Sequence, residues 1–91
     1  MCIDTGHINL SWRPTSRYLA LPYKIHSVHL HGNDGYSDRH ELPNYFTVRD
    51  YQATLKALKR CEGPVVLELA ENHVTKEQIK SCMKFWEDSV L

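Results

Sequence analysis

The chain carries no net charge, with 11 lysines and arginines against 11 aspartates and glutamates in 91 residues. Balanced charge argues against a nucleic-acid partner, because non-specific binding to nucleic acid rests on neutralising phosphates. Nor does it suggest an acidic tail or strong electrostatic steering. The cysteines, Cys2, Cys61 and Cys82, form no CxxC pair and are odd in number. A disulfide framework is therefore not expected, and a reducing, cytoplasmic compartment is. The three are read as small apolar fillers. No apolar run approaches the length of a membrane span, and Met1-Cys2-Ile3-Asp4 has neither the basic nor the apolar region of a signal peptide. No low-complexity segment interrupts the chain. The expectation is one soluble domain over residues 1–91, without a membrane partner and near the size at which a single core supplies roughly a few kcal/mol of net stability.

What is present alternates between two periodicities. Met1 to Ile3 is a short apolar stub resembling the end of a strand. Pro14 opens a stretch, Thr15 to Leu21, that can make two helical turns before Pro22 ends it. Ile25 to His31 is β-branched and apolar and runs into the turn residues Gly32-Asn33-Asp34-Gly35, which predicts a strand and a turn. A long polar loop follows to about Phe46, and loops of that length are usually functional. Val48, Tyr51, Leu55 and Leu58 recur at near-helical spacing behind Thr47 as N-cap, predicting a helix over Val48 to Arg60. Val65-Val66-Leu67-Glu68-Leu69 has the continuous apolar character of a parallel strand covered on both faces. Thr75-Lys76-Glu77-Gln78 is a capping box, and Ile79, Met83, Trp86 and Val90 form one apolar face from there to the C-terminus. Strand and helix thus alternate three times, which predicts an α/β fold of three consecutive βα units with parallel strands.

In such repeats the C-terminal ends of the strands share one rim, where barrel enzymes build their sites. Asp4 and His7 follow the first strand, and His29 lies late in the second. Asp38 and His40 sit in the loop after it, and Glu68 lies late in the third. Carboxylate oxygen and imidazole nitrogen from several directions are what a hard or borderline divalent ion requires, so manganese, magnesium, cobalt or zinc is the expected cofactor. Singly, each has a plainer role. Asp4 fits a turn, a lone histidine in a strand is often a hydrogen-bonded core group, and Asp38-Arg39-His40 fits a solvated loop. Glu68 is the hardest to explain away, since a carboxylate within an apolar run is costly unless paired or metal-bound. His29 and His31 flank Leu30 and are read here as pointing to opposite sides, one into the barrel layer and one towards the helices.

Asp-Thr-Gly-His, Val-His-Leu-His-Gly-Asn-Asp-Gly, Asp-Arg-His and Leu-Glu, in that order, together resemble the C-terminal part of the xylose-isomerase-like barrel superfamily. That superfamily contains sugar phosphate isomerases and epimerases and the type-IV apurinic endonucleases. The resemblance covers nearly the whole chain, as the last three of eight βα units of a TIM barrel. It implies that Asp4 and His29 are metal ligands and that Glu68 is a ligand and, in the epimerase branch, also the catalytic acid/base carboxylate. His7 would contact substrate in the epimerases or a further metal in the endonucleases, and Asp38 and His40 match the Asp-x-His pair that completes the three-zinc cluster of the endonuclease branch, a pair that many isomerase-like members also keep. Two places differ: Gly32 stands where the family usually has an acidic residue, and Leu42-Pro43-Asn44-Tyr45-Phe46 replaces a glycine-rich stretch.

The resemblance therefore implies a C-terminal fragment of a sugar phosphate isomerase or epimerase, inactive alone because a further metal-binding glutamate comes from an earlier strand. Its reaction is metal-assisted proton transfer next to the carbonyl of a sugar or sugar phosphate. The alternatives are a catalytically silent fragment that only binds metal or self-associates, and a fragment of an apurinic endonuclease-like hydrolase. Three parallel strands with open edges also predict self-association or pairing with a complementary barrel fragment.

Overall fold

In the computed structural model, which describes residues 1–11, 14–44, 47–48, 50–70 and 74–90, three short strands form one parallel sheet. The elements in chain order are β1 (Cys2–Asp4), α1 (Thr5–Leu10), α2 (Thr15–Leu19), β2 (Ser27–Leu30), α3 (Tyr51–Arg60), β3 (Val65–Leu67) and α4 (Lys76–Val90). The strands pair in the order β1-β2-β3, with Asp4 beside His29, His29 beside Val66, and Leu30 beside Leu67. This is the mixed α/β, parallel architecture expected from the alternation. Among the described residues β1 and β3 are both edge strands.

Alternation along each strand sorts the side chains. Ile3, Val28 and Leu30 are fully buried and join Ile8, Ile25, Val48, Ala57, Cys82 and Trp86 in the core. The opposite parity, Cys2, Ser27, His29 and Val66, is half-buried or exposed. Among the described residues, one face of the sheet carries the core and the other is only partly covered. The expected double coverage of Val65 to Leu69 does not hold, since Val65 is 46% and Val66 41% exposed. Cys2 is exposed too, and of the three free cysteines only Cys82 is a buried filler. Burial pushes the Cys82 thiol up, partly offset by its contact with Trp86.

Helix α4 starts as the capping box requires. Thr75 Oγ1 accepts from the Gln78 amide at 3.1 Å, and Gln78 Oε1 accepts from the Thr75 amide at 2.8 Å. Its buried face is carried by Cys82 and Trp86, while Met83, on the apolar face read from the sequence, is 46% exposed. Helix α3 begins three residues later than expected. Thr47 does not cap it, because its hydroxyl closes the preceding loop instead, donating to the Leu42 carbonyl at 2.6 Å and accepting from the Asn44 amide at 2.9 Å. Asp50 precedes α3 in a left-handed conformation, φ 59°. Tyr45 and Phe46, the end of the long polar loop, lie outside the described residues. No helix among the described residues is long and apolar enough to cross a membrane.

Candidate metal centre

Asp4 stands where β1 passes into α1, and both of its oxygens are engaged. Oδ1 accepts from the His7 amide at 3.0 Å, capping a six-residue helix, and from His31 Nε2 at 2.7 Å. Oδ2 lies 3.3 Å from His7 Nδ1 and 3.9 Å from His29 Nδ1. From β2, His29 Nδ1 reaches Glu68 Oε1 at 3.0 Å, while the other Glu68 oxygen is 3.6 Å from His31 Nε2. Glu68 follows β3 directly and is held in register by its amide, which donates to the Leu30 carbonyl at 3.2 Å.

The loop after β2 folds back over this rim. Gly32 and Glu41 exchange backbone hydrogen bonds at 2.8 Å, closing the loop at its base. Asp34 turns it, accepting from the amides of Tyr36 and Ser37, and those bonds with Arg39 hold its carboxyl below the ordinary value. The returning strand of the loop carries Asp38 and His40. Asp38 Oδ2 lies 3.3 Å from His7 Nε2, and Asp38 Oδ1 lies 3.3 Å from His40 Nε2. His40 has a left-handed backbone, φ 52°, and its ring stacks on that of His31 with centroids 4.2 Å apart. Its Nδ1 bonds the Glu68 carbonyl at 3.0 Å.

All six residues singled out in the sequence thus lie at one rim, drawn from β1, α1, β2, the loop after β2 and the end of β3. The donor atoms of Asp4, His29 and Glu68 lie within 4.8 Å of one another, as do those of His31, His40 and Glu68. His31, absent from the sequence-derived set, is the centre of the cluster and is fully buried. The expectation that His29 and His31 point to opposite sides was wrong. Residues two apart in a strand share a face, and both imidazoles face Asp4 and Glu68 while Leu30 between them enters the core.

Three further residues shape the setting of His31. Thr5 Oγ1 donates to the His31 carbonyl at 2.6 Å and accepts from its amide at 3.0 Å. Asn33 Nδ2 bonds the Gly6 carbonyl at 2.8 Å, tying the turn to α1. At Gly6 a side chain has no room, since a Cβ would overlap the His31 ring. Gly32 is equally constrained: a Cβ there would strike Thr47, so the acidic side chain carried by the resembling family cannot be accommodated in this packing. In the sequence only the parity of His29 and His31 could have exposed the central role of His31.

Burial pushes the Asp4 carboxyl up, but the His7 amide, the field and hydrogen bond of His31, and the field of His7 outweigh it, leaving the group below its ordinary 3.8. A carboxyl depressed by folding contributes stability that is whole above its unfolded value and is lost as pH falls through its lower folded value. Denaturant midpoints should therefore fall as the pH is lowered below 3.8, and Asp4→Asn should flatten that fall. Parallel acid limbs for the variant and the wild type would remove Asp4 from this account.

Comparisons with protein-family models, with curated proteins and with solved structures return no match to the chain.

Proposed function

We propose that the rim binds a divalent cation through Asp4, His29 and Glu68 and serves metal-assisted proton transfer beside the carbonyl of a sugar or sugar phosphate. In this reading the chain corresponds to the last three βα units of a xylose-isomerase-like barrel. The observation that carries it is convergence: one donor from the end of β1, one from β2 and one following β3, all within 4.8 Å. Two carboxylates and an imidazole match the oxygen and nitrogen preference of manganese, magnesium, cobalt or zinc.

When bound, such an ion supplies Lewis-acid polarisation of the substrate's carbonyl and hydroxyl oxygens. The chain's own residues supply the rest. Glu68, 32% exposed at the rim, is placed to take a proton from a carbon next to a carbonyl and to return it. His7, 63% exposed and held between Asp4 and Asp38, can hydrogen-bond a substrate hydroxyl. The second carboxylate of an isomerase pair belongs, in the barrel reading, to an earlier strand. The chain alone is therefore not expected to isomerise a sugar, as its sequence implies, and exchange of a single C–H proton with solvent is the partial step left to Glu68.

The test is titration of the purified chain with Mn²⁺ or Co²⁺, together with deuterium incorporation next to the carbonyl of a sugar phosphate followed by NMR. Wild type should take up metal and incorporate deuterium, whereas His29→Ala and Glu68→Ala should lose both. Equal metal uptake in all three proteins would rule this function out.

A silent, self-associating chain is the second reading, favoured by the exposed Val65, Val66 and Met83 beside the open edge of β3. A monodisperse monomer across a concentration series in sedimentation would count against it. The endonuclease alternative draws on Asp38 and His40, and the chain's balanced charge does not favour it.

A further inference from the structure

Strand β3 is an edge with half of its hydrogen-bonding groups in use. The Pro64 carbonyl accepts from the Val28 amide at 3.1 Å, and the Glu68 amide donates to the Leu30 carbonyl at 3.2 Å. Alternation along a parallel ladder then turns Pro64, Val66 and Glu68 towards β2, and leaves the N–H and C=O groups of Val65 and Leu67 facing outward. No strand meets them there among the described residues. Beside that edge runs a groove of about 830 Å³, with Leu58, Val65 and Leu67 on one side and Ile79, Met83 and Val90 of α4 on the other. Six large apolar side chains are exposed among the described residues, and three of them, Val65, Val66 and Met83, line this groove. An open ladder beside a concentrated apolar patch marks a surface for another chain.

The charges of α4 identify the occupant. Lys76 opens the helix, and Glu87 and Asp88 stand in its last turn, which has no basic residue. Glu77 suits the helix dipole, whereas these three oppose it. None of the three forms an ion pair among the described residues. By helical spacing Lys76 and Glu87 share the face of Met83, about three turns apart, so this stripe is cationic at one end and anionic at the other. Glu87 and Asp88 line the groove itself. Such a stripe attracts a copy of itself running the opposite way and repels one running the same way.

We propose that a second copy of this chain docks on the β3 edge about a two-fold axis perpendicular to the sheet. Strand β3 pairs antiparallel with β3 of the other copy, and the α4 helices lie antiparallel, Lys76 of each against Glu87 of the other. The proposal rests on the self-associating reading above, without requiring a silent chain, and fixes its surface and direction. Val65 of one copy stands opposite Leu67 of the other, and the two exchange the outward-facing hydrogen bonds, with Val66 meeting its counterpart between them. Their side chains fill the groove from the open side. An isologous contact of this kind closes at two copies. Direction separates it from barrel closure, which would continue the sheet with a parallel strand.

The test is sedimentation equilibrium on the full chain, with charge reversals at the exposed Lys76 and Glu87. Wild type should show a monomer–dimer equilibrium. Lys76→Glu and Glu87→Lys should each raise the dimer dissociation constant about tenfold at low salt, since each turns both reciprocal ion pairs into repulsions. An equimolar mixture of the two variants restores both pairs in the heterodimer and should return to the wild-type constant. Each reversal also suits the helix dipole, so denaturant midpoints of the monomer should hold or rise, which separates lost docking from lost folding. Val65→Lys should abolish the dimer by placing a charge on the edge. A dimer indifferent to all three substitutions would leave self-association standing and overturn this interface. Variants that weaken the dimer without recovering on mixing would overturn the antiparallel direction. Growth of wild type past two copies would overturn the two-fold, and a wild type monomeric throughout would overturn both the interface and the self-associating reading.

Discussion

Trp86→Ala is expected to remove about 3–5 kcal/mol of stability, the usual cost of deleting a large buried aromatic side chain. A chain of this size is stabilised by about 5–15 kcal/mol in total, so the loss is a large fraction. Trp86 is 4% exposed and packs against Tyr51 and Phe85 with ring centroids 5.4 Å away in each case. Its indole N–H also donates to the Pro43 carbonyl at 3.0 Å, beside a weaker contact from Cys82 Sγ to the same oxygen. Trp86 therefore joins α4 to the far end of the loop that carries Asp38 and His40. Trp86→Phe retains most of the apolar volume and loses the donor, for an expected cost of about 1–2 kcal/mol. Urea unfolding followed by circular dichroism measures both. A loss under about 1 kcal/mol for Trp86→Ala would mean that α4 is not docked on this loop in solution.

The elements that were legible in the sequence are those whose signal is local. The capping box at Thr75 and Gln78 appears in the structure with both reciprocal hydrogen bonds. The strands at Ile3, Val28 and Val66 and the parallel pairing followed from apolar runs separated by helical spacing. Helix α1 was not legible, because its six residues are too few for periodicity and its only signal is Asp4 acting as N-cap. The start of α3 was misplaced because Thr47 has two competing uses for one hydroxyl, and the choice depends on where the Leu42 carbonyl lies. Val65 and Val66 look the same in sequence whether a neighbour covers them or not. The candidate site was legible as a set of strand-end donors, yet its centre was not. Both histidines of Val-His-Leu-His share a face by simple alternation. That His31 is fully enclosed and His29 is not comes from what surrounds the end of β2, chiefly Gly6, Thr5 and His40.

Gly6→Ala should cost about 1–3 kcal/mol, because the added Cβ falls on the His31 ring. The ring cannot simply step aside. Thr5 holds the His31 amide and carbonyl, and Asp4 holds Nε2. Alanine is the better helix former, by about 1 kcal/mol, so the steric term has to exceed that gain for the variant to lose stability. This makes the origin of the effect separable in a double-mutant cycle. With His31→Ala the obstacle is gone, and Gly6→Ala in that background should be neutral or stabilising by up to about 1 kcal/mol. The two substitutions should therefore couple by about 1–4 kcal/mol, far above the few tenths expected of independent sites. Additive costs in the urea-unfolding cycle would show that the glycine serves the backbone of α1 rather than the imidazole. Coupling would instead give Asp-Thr-Gly-His one physical meaning: Asp4 caps and orients, Thr5 clamps, Gly6 leaves the gap, and His7 stands outside it, so that a single buried imidazole is held where two groups of donors meet.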